Sequence, residues 1–338
     1  MRFLLLTQDY PPTALGGVAA WAADLAAALH EGGEAVVVLA RSQPGVAAAD
    51  AASPWPVIRM AGRSWGRWQG LWSLLAAGPR LARGDVLIAA TWELAAWLAP
   101  LREALGVRLL VAAHGSDLTR LAAAPPALRR VDAAVTGWVP VSGFLGQELR
   151  RLGLRGPVTV MPMPLDLGRP DPAPRGAHLL VVSRLIEGKG VERVIALGRA
   201  LGRPVEVIGD GPLRGPLEAV GGARLLGAQS RAEARAAMGR AAAVALLPRL
   251  RADGRGGEGL GLCLIEAAAA GTPVIGCMTG GVAEAVGPGL LLDDPDQPDL
   301  AAVERFLGAP GAGALARAWV EAHHGPAAAV AALRVALA

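Results

Sequence analysis

The sequence predicts an α/β protein made of two successive Rossmann-like, doubly wound parallel-sheet domains. Three observations lead there. Short apolar runs alternate with Ala- and Leu-rich segments of helical length along the chain. The alternation stops once, at a proline-dense stretch, and then restarts. The chain has 338 residues and is 53% hydrophobic, which is long for one domain and natural for two of roughly 150 to 170 residues each.

Arg2 to Thr7 (RFLLLT) has the pattern of a buried strand. Gln8 to Gly17 is a loop, because Pro11, Pro12 and the Gly16-Gly17 pair interrupt any regular element. Val18 to Leu29 reads as a helix, ended by Gly32-Gly33, and Ala35 to Ala40 as the next strand. Val86 to Ala90, Arg108 to Ala113, Ala133 to Val141 and Val158 to Met161 read as further strands, with a helix over Glu93 to Leu105. Pro162, Pro164, Pro170, Pro172 and Pro174 then fall within fifteen residues. Such density cannot lie in a helix or a central strand, so a linker is expected there. In the second half, strands are expected at Leu179 to Ser183, Val205 to Ile208, Ala243 to Leu247 and Pro273 to Gly276. Helices are expected at Val191 to Leu201, Arg231 to Arg240 and Leu262 to Ala270. The resulting division is an amino-terminal domain over 1–168, a linker over 169–176, a second domain over 177–315 and a helical tail over 316–338 that packs back on the first domain. Ligands of such sheets bind at the strand carboxyl ends, so the two domains are expected to face a central cleft.

The formal net charge is +4, and all of the excess lies in residues 1–170. A mildly basic first half is compatible with an anionic acceptor or peripheral contact at an anionic membrane surface, and equally with plain arginine-rich composition. No long basic run supports nucleic-acid binding. Cys263 and Cys277 have no metal-type spacing and read as buried thiols of a reducing compartment. The apolar run at the amino terminus is too short for a signal peptide, and no run suits a spanning helix, so a cytoplasmic location is expected.

The strongest chemical signal is Glu258 to Glu266, EGLGLCLIE. Gly259, Leu260 and Gly261 bring backbone N–H groups to a helix start, where oxygen-rich and phosphorylated ligands bind. Glu266 lies in an otherwise apolar helix, where an unpartnered carboxylate is costly. The second signal, VSRLIEGKG, sets Arg184 and Lys189 at a strand exit, where two cations can clamp a diphosphate. Lys189 is the only lysine in an arginine-rich chain, which hints that a compact ammonium is needed there. Gly209-Asp210-Gly211-Pro212 makes either a turn or a close backbone approach to a ligand. Gly16 and Gly17 offer another such approach. His114 follows the strand RLLVAA beside Gly115, well placed for a sugar hydroxyl. Asp9, Asp117, Trp65 and Trp68 are candidate acceptor contacts. The segment Trp65 to Trp72 has helical Trp spacing, and packing, sugar stacking and membrane contact all stay open for it. Asp294-Pro295-Asp296 is formally D-x-D but lies in a turn, and no metal site is expected.

Taken in order, the Gly16-Gly17 loop, HGSDL, VSGF, VSRLIEGKG, GDGPL, EGLGLCLIE, EAAAAGTPVIG and TGGVAEAV resemble the retaining glycosyltransferases of family four, which have the GT-B fold. The resemblance implies a nucleoside diphosphate sugar as donor and no required cofactor or metal. It implies that Arg184 and Lys189 bind the diphosphate, Glu258 lies near the donor sugar and Glu266 holds the ribose. Gly16 is implied to lie near the phosphates, His114 near the donor sugar and Thr279 to Val282 against the nucleotide. Met163-Pro164-Leu165-Asp166 and Gly32-Gly33 depart from the family's usual Asn-Gly-Val-Asp and Gly-His, which leaves the role of Asp166 open. The expected reaction moves the sugar to a hydroxyl of a saccharide, lipid-linked or small-molecule acceptor, with retained configuration. A sugar-nucleotide epimerase or hydrolase, and a non-catalytic nucleotide-sugar-binding protein, are the alternatives.

Overall fold

The computed structural model describes residues 1–13, 16–60, 81–168, 175–250 and 258–338. The chain divides into two compact units, one comprising Met1–Asp166 with His324–Ala338 and the other Leu167–His323.

The first unit holds a six-stranded sheet of β1 (Arg2–Thr7), β2 (Ala35–Arg41), β3 (Val57–Met60), β4 (Val86–Ala89), β5 (Arg108–Ala113) and β6 (Gly137–Pro140). All pairings are parallel, in the order β3-β2-β1-β4-β5-β6. The strands are near-continuous apolar runs because helices cover both faces. Helix Gly17–Glu31 buries Trp21, Ala22, Leu25 and Leu29. The last helix, Pro326–Ala336, packs on helix Gly17–Glu31 and on β6.

The second unit holds β7 (Leu179–Val182), β8 (Val205–Ile208), β9 (Arg224–Gly227), β10 (Ala243–Ala245), β11 (Val274–Cys277) and β12 (Leu290–Leu292). Their order is β12-β11-β10-β7-β8-β9, again all parallel. Counted from its own first strand, this sheet repeats the order of the first. Its core joins Leu179, Val181, Val194, Ile195, Val207, Ala245, Leu247 and Ile275. No described helix is long and apolar enough to cross a membrane.

Several expectations change. Ala133 and Ala134 close the helix Pro125–Ala134, and the strand starts only at Gly137. Val158 to Met161 forms a single bridge, Trp138 with Val158, and two further backbone bonds rather than a strand; Pro157 and Pro162 flank it and supply no N–H. The tail expected over 316–338 divides at His324. Helix Ala312–His323 packs on helix Leu262–Ala269 in the second unit, and Gly325, at φ 106°, turns the chain into the helix that returns to the first. The Nδ1 atom of His324 accepts from the Met163 amide at 3.2 Å. Asp299 caps helix Leu300–Gly308 by accepting from the Ala302 amide at 3.0 Å.

Candidate active site

In the second unit the loop after β7 carries Arg184 and Lys189. The glycine turn after β8 braces it. The Leu185 amide donates to the Asp210 carbonyl at 2.9 Å, and the Leu213 amide donates to the Leu185 carbonyl at 3.0 Å. A Cβ on Gly209 would lie 1.9 Å from the Ser183 carbonyl oxygen, and one on Gly211 2.4 Å from that of Leu185. Both glycines are therefore required by the approach of one loop to the other. Asp210 is exposed, and its carboxylate accepts from the Gly211 amide at 2.7 Å.

Lys189 binds the carboxylate of Glu258. Glu187, on the same loop, is exposed. Arg184 is exposed and makes no ion pair among the described residues. Glu258 is fixed through its backbone, whose carbonyl accepts from the Gly281 amide at 2.8 Å. A Cβ on Gly280 or Gly281 would lie 2.3 or 2.2 Å from the carbonyl oxygens of Glu258 and Gly259, so the TGGV segment sits directly on the EGLG segment. Gly261, at φ 94°, is the N-cap of helix Leu262–Ala269 and supplies no capping side chain, while Leu260 is buried beside it.

Glu266 lies on that helix and is buried. Its Oε1 accepts from Arg231 Nε at 2.8 Å. Sequence reasoning missed Arg231, whose only local signal is a helix start: Ser230 and Glu233 form a capping box around it. Cys263 ties the group together. Burial, then Glu258 and Glu266, push its thiol up to about 12, and Lys189 pulls it down. The thiol is therefore protonated and unreactive at neutral pH, and three of the four expected donor-site charges act on this one side chain. Neither cysteine forms a disulfide.

Asp296 serves architecture. Its Oδ1 accepts from Arg193 Nε at 3.0 Å and from Arg249 Nη2 at 2.8 Å. The Arg249 amide in turn donates to the Gly188 carbonyl at 2.9 Å, next to Lys189.

In the first unit Gly16, at φ 136°, is the exposed N-cap of helix Gly17–Glu31, and Gly17 opens that helix. His114 follows β5, with its ring edge-on to Trp21. Burial lowers the imidazole to about 4, against a hydrogen bond to the Ala90 backbone. Asp117 is buried and accepts from the amides of His114 and Gly115 at 3.1 and 2.7 Å. Burial raises its carboxyl to about 6. Asp9 instead sits half-exposed in an ion pair with Arg41 at 3.3 Å. Trp65 and Trp68 lie outside the described residues.

Two Rossmann-like units, one with cations and carboxylates gathered at its strand exits, define the GT-B class of glycosyltransferase. Two family models match the chain in succession: Glycosyltransferase Family 4 over residues 15–169 and Glycosyl transferases group 1 over residues 176–307. The chain belongs to the family-four glycosyltransferases. It is 28% identical to the glycogen synthase of Mycobacterium tuberculosis over 340 aligned positions, covering 85% of this chain and 80% of that protein. Among solved structures it resembles HepE of Anabaena in complex with UDP and glucose, with a TM-score of 0.76, 16% identity and 100% and 99% of the two chains covered. It also resembles sucrose-phosphate synthase of Thermosynechococcus elongatus, with a TM-score of 0.73, 18% identity and 99% and 97% covered.

Proposed function

We propose that the second unit binds a nucleoside diphosphate sugar and that the enzyme transfers the sugar, with retained configuration, to an acceptor hydroxyl bound by the first unit. The observation that carries this reading is the ion pair of Lys189 with Glu258, beside the braced loop of Arg184, with Glu266 buried on helix Leu262–Ala269. Arg184 and Lys189 neutralise the diphosphate as the bond from the anomeric carbon to the phosphate oxygen breaks. Glu258 takes hydroxyls of the donor sugar and Glu266 those of the ribose. The departing phosphate oxygen accepts the acceptor's proton. The new glycosidic bond forms on the same face, through an oxocarbenium-like state. Gly16 and His114 act on the phosphates and the donor sugar as the family resemblance implies. No metal is required, since the two cations supply the charge. The acceptor class is a saccharide, free or lipid-linked, or a small molecule; work on a lipid-linked acceptor entails peripheral contact at the inner membrane face.

A thermal-shift panel of UDP, ADP and GDP with their glucose conjugates tests donor binding, because a ligand of the native state raises the melting temperature. Anomeric NMR of the product then reads configuration. Stabilisation by a nucleotide sugar, and an α-linked product from an α-linked donor, are expected. No stabilisation by any nucleotide, or an inverted product, contradicts the proposal.

A further inference from the structure

Asp296 joins two arginines that grip the segment of Lys189 at both of its ends. It lies between β12 and helix Leu300–Gly308. Its Oδ1 accepts from Arg193 Nε at 3.0 Å and its Oδ2 from Arg193 Nη2 at 2.5 Å. Arg249 docks on the same carboxylate, with Nη2 2.8 Å from Oδ1 and Nη1 3.0 Å from Oδ2. Both contacts are two-pronged, the geometry that fixes a guanidinium most firmly. Each arginine then reaches further. Arg193 Nη1 donates to the Pro248 carbonyl at 2.8 Å, and Arg249 Nε to the Glu192 carboxylate at 3.0 Å. Glu192 and Arg193 stand in the first turn of helix Val191–Ala200, just after Lys189. On the other side of Lys189, the Arg249 amide donates to the Gly188 carbonyl at 2.9 Å.

Asp296 and Arg249 are 46% and 43% exposed. Solvent screens such pairs, so the network adds little to stability and its weight is geometric. Without the carboxylate, two guanidiniums confront each other across its place, with Glu192 bound to one of them. Like charges at that range repel. The helix start that carries Arg193 and the exit of β10 that carries Arg249 would move apart, and both hold the Lys189 segment. A shift of about 1 Å in a group that meets the transition state can cost about 10²-fold in rate. Hydrogen bonds from Arg193, and then from Arg249, outweigh burial and hold the Asp296 carboxyl below its usual range, so it is ionised at neutral pH. A cavity of about 420 Å³ lies beside the network, lined by Glu192, Arg193, Leu197, Arg249, Asp296 and Leu300. A small solute can therefore reach the two guanidiniums.

We propose that Asp296 is a positioning residue of the transfer reaction, which sets the Lys189 segment through Arg193 and Arg249. The proposal rests on the reading of Lys189 as a diphosphate-binding cation. Its test is a kinetic cycle with the donor that the nucleotide panel selects, read as nucleotide released. Asp296→Ala is expected to lower kcat about tenfold with an unchanged circular dichroism spectrum. In a Lys189→Ala background the same change is expected to cost less than about twofold, because residues that act through one another are not additive. Asp296→Asn keeps the bulk of the side chain and runs through the same cycle. Sodium acetate is expected to restore Asp296→Ala about threefold or more over sodium chloride of equal ionic strength, by placing a carboxylate between the two guanidiniums, and to leave wild type unchanged. An equal loss in both backgrounds, or an acetate effect absent from the variant or shared by wild type, overturns the proposal. Hydrogen exchange at the Arg249 amide, followed by NMR, needs no substrate. It is expected to quicken about tenfold in Asp296→Ala and to slow again in acetate; exchange at the wild-type rate overturns the proposal by itself. Transfer at the wild-type rate in Lys189→Ala overturns the donor-site reading instead, and the exchange measurement still decides this one.

Discussion

Lys189 rests its ammonium on the carboxylate of Glu258, so the only lysine of the chain is ion-paired to the residue expected nearest the donor sugar. Each side chain remains about a fifth exposed, 20% and 17%, so the pair adds little to stability. Its weight falls on the reaction. Lys189→Ala should lower transfer about 10²- to 10³-fold, the scale of losing one preorganised charge stabiliser, with the melting temperature nearly unchanged. Lys189→Arg should restore only part, because a planar fork does not replace a compact ammonium. Steady-state kinetics with a saturating acceptor measure both.

Arg231 holds Glu266, the buried carboxylate expected to grip the ribose. Arg231→Ala strands that carboxylate. The arginine is itself about a third exposed, 32%, so solvent screens the pair and the stability cost should be about 1–2 kcal/mol. Donor affinity should fall along with it. Urea unfolding and nucleotide titration check the two effects separately, and a variant that unfolds at the wild-type midpoint with unaltered affinity would count against the role.

The buried His114 and Asp117 predict opposing pH dependences. His114 falls from 6.5 to about 4 on folding, so the unfolded chain binds its proton first and stability drops as pH falls from 6.5 to 4. Asp117 rises from 3.8 to about 6, so the folded chain binds its proton first and stability increases as pH falls from 6 to 3.8. Each shift is worth about 3 kcal/mol and the two nearly cancel between pH 4 and 6. His114→Gln should therefore leave a protein whose stability, relative to wild type, climbs on acidification from pH 6 to 4. Asp117→Asn should show the reverse from pH 6.5 to 4. Chemical denaturation at several pH values reads both slopes.

Gly190, at φ 66°, opens the helix that follows Lys189, and a Cβ there would lie 1.7 Å from the Leu247 carbonyl oxygen. Gly190→Ala should destabilise the protein by roughly 3 kcal/mol or more and weaken donor binding. Gly153 shares a positive φ, 81°, but meets nothing within 4 Å. Gly153→Ala should cost only about 1 kcal/mol. Comparing the two melting temperatures separates close approach from backbone strain.

Strand exits and glycine turns were legible from the sequence, because apolar runs and Gly-rich loops are local patterns. So were Glu258, Glu266, Arg184 and Lys189, since each stands out against its immediate neighbours. Arg231 was not, because its partner lies 35 residues away and only the packing of two helices joins them. Trp21 was hidden for the same reason: it reads locally as ordinary helix, and packing sets its ring against His114. Short edge strands such as β3 and β9 were missed because four residues carry too little periodicity. His324 and Asp299 owe their roles to hydrogen bonds that composition does not signal.

Replacing Glu258 by Gln removes the charge of the carboxylate proposed to face the donor sugar and keeps its shape. The decisive measurement is sugar transfer, read as nucleotide released together with glycosylated acceptor formed, in wild type and Glu258→Gln at matched fold and matched nucleotide affinity. A loss of about 10²-fold or more in kcat, with nucleoside diphosphate still bound, is the expected result. Turnover close to wild type would contradict the assignment of this carboxylate, and with it the donor site built around it.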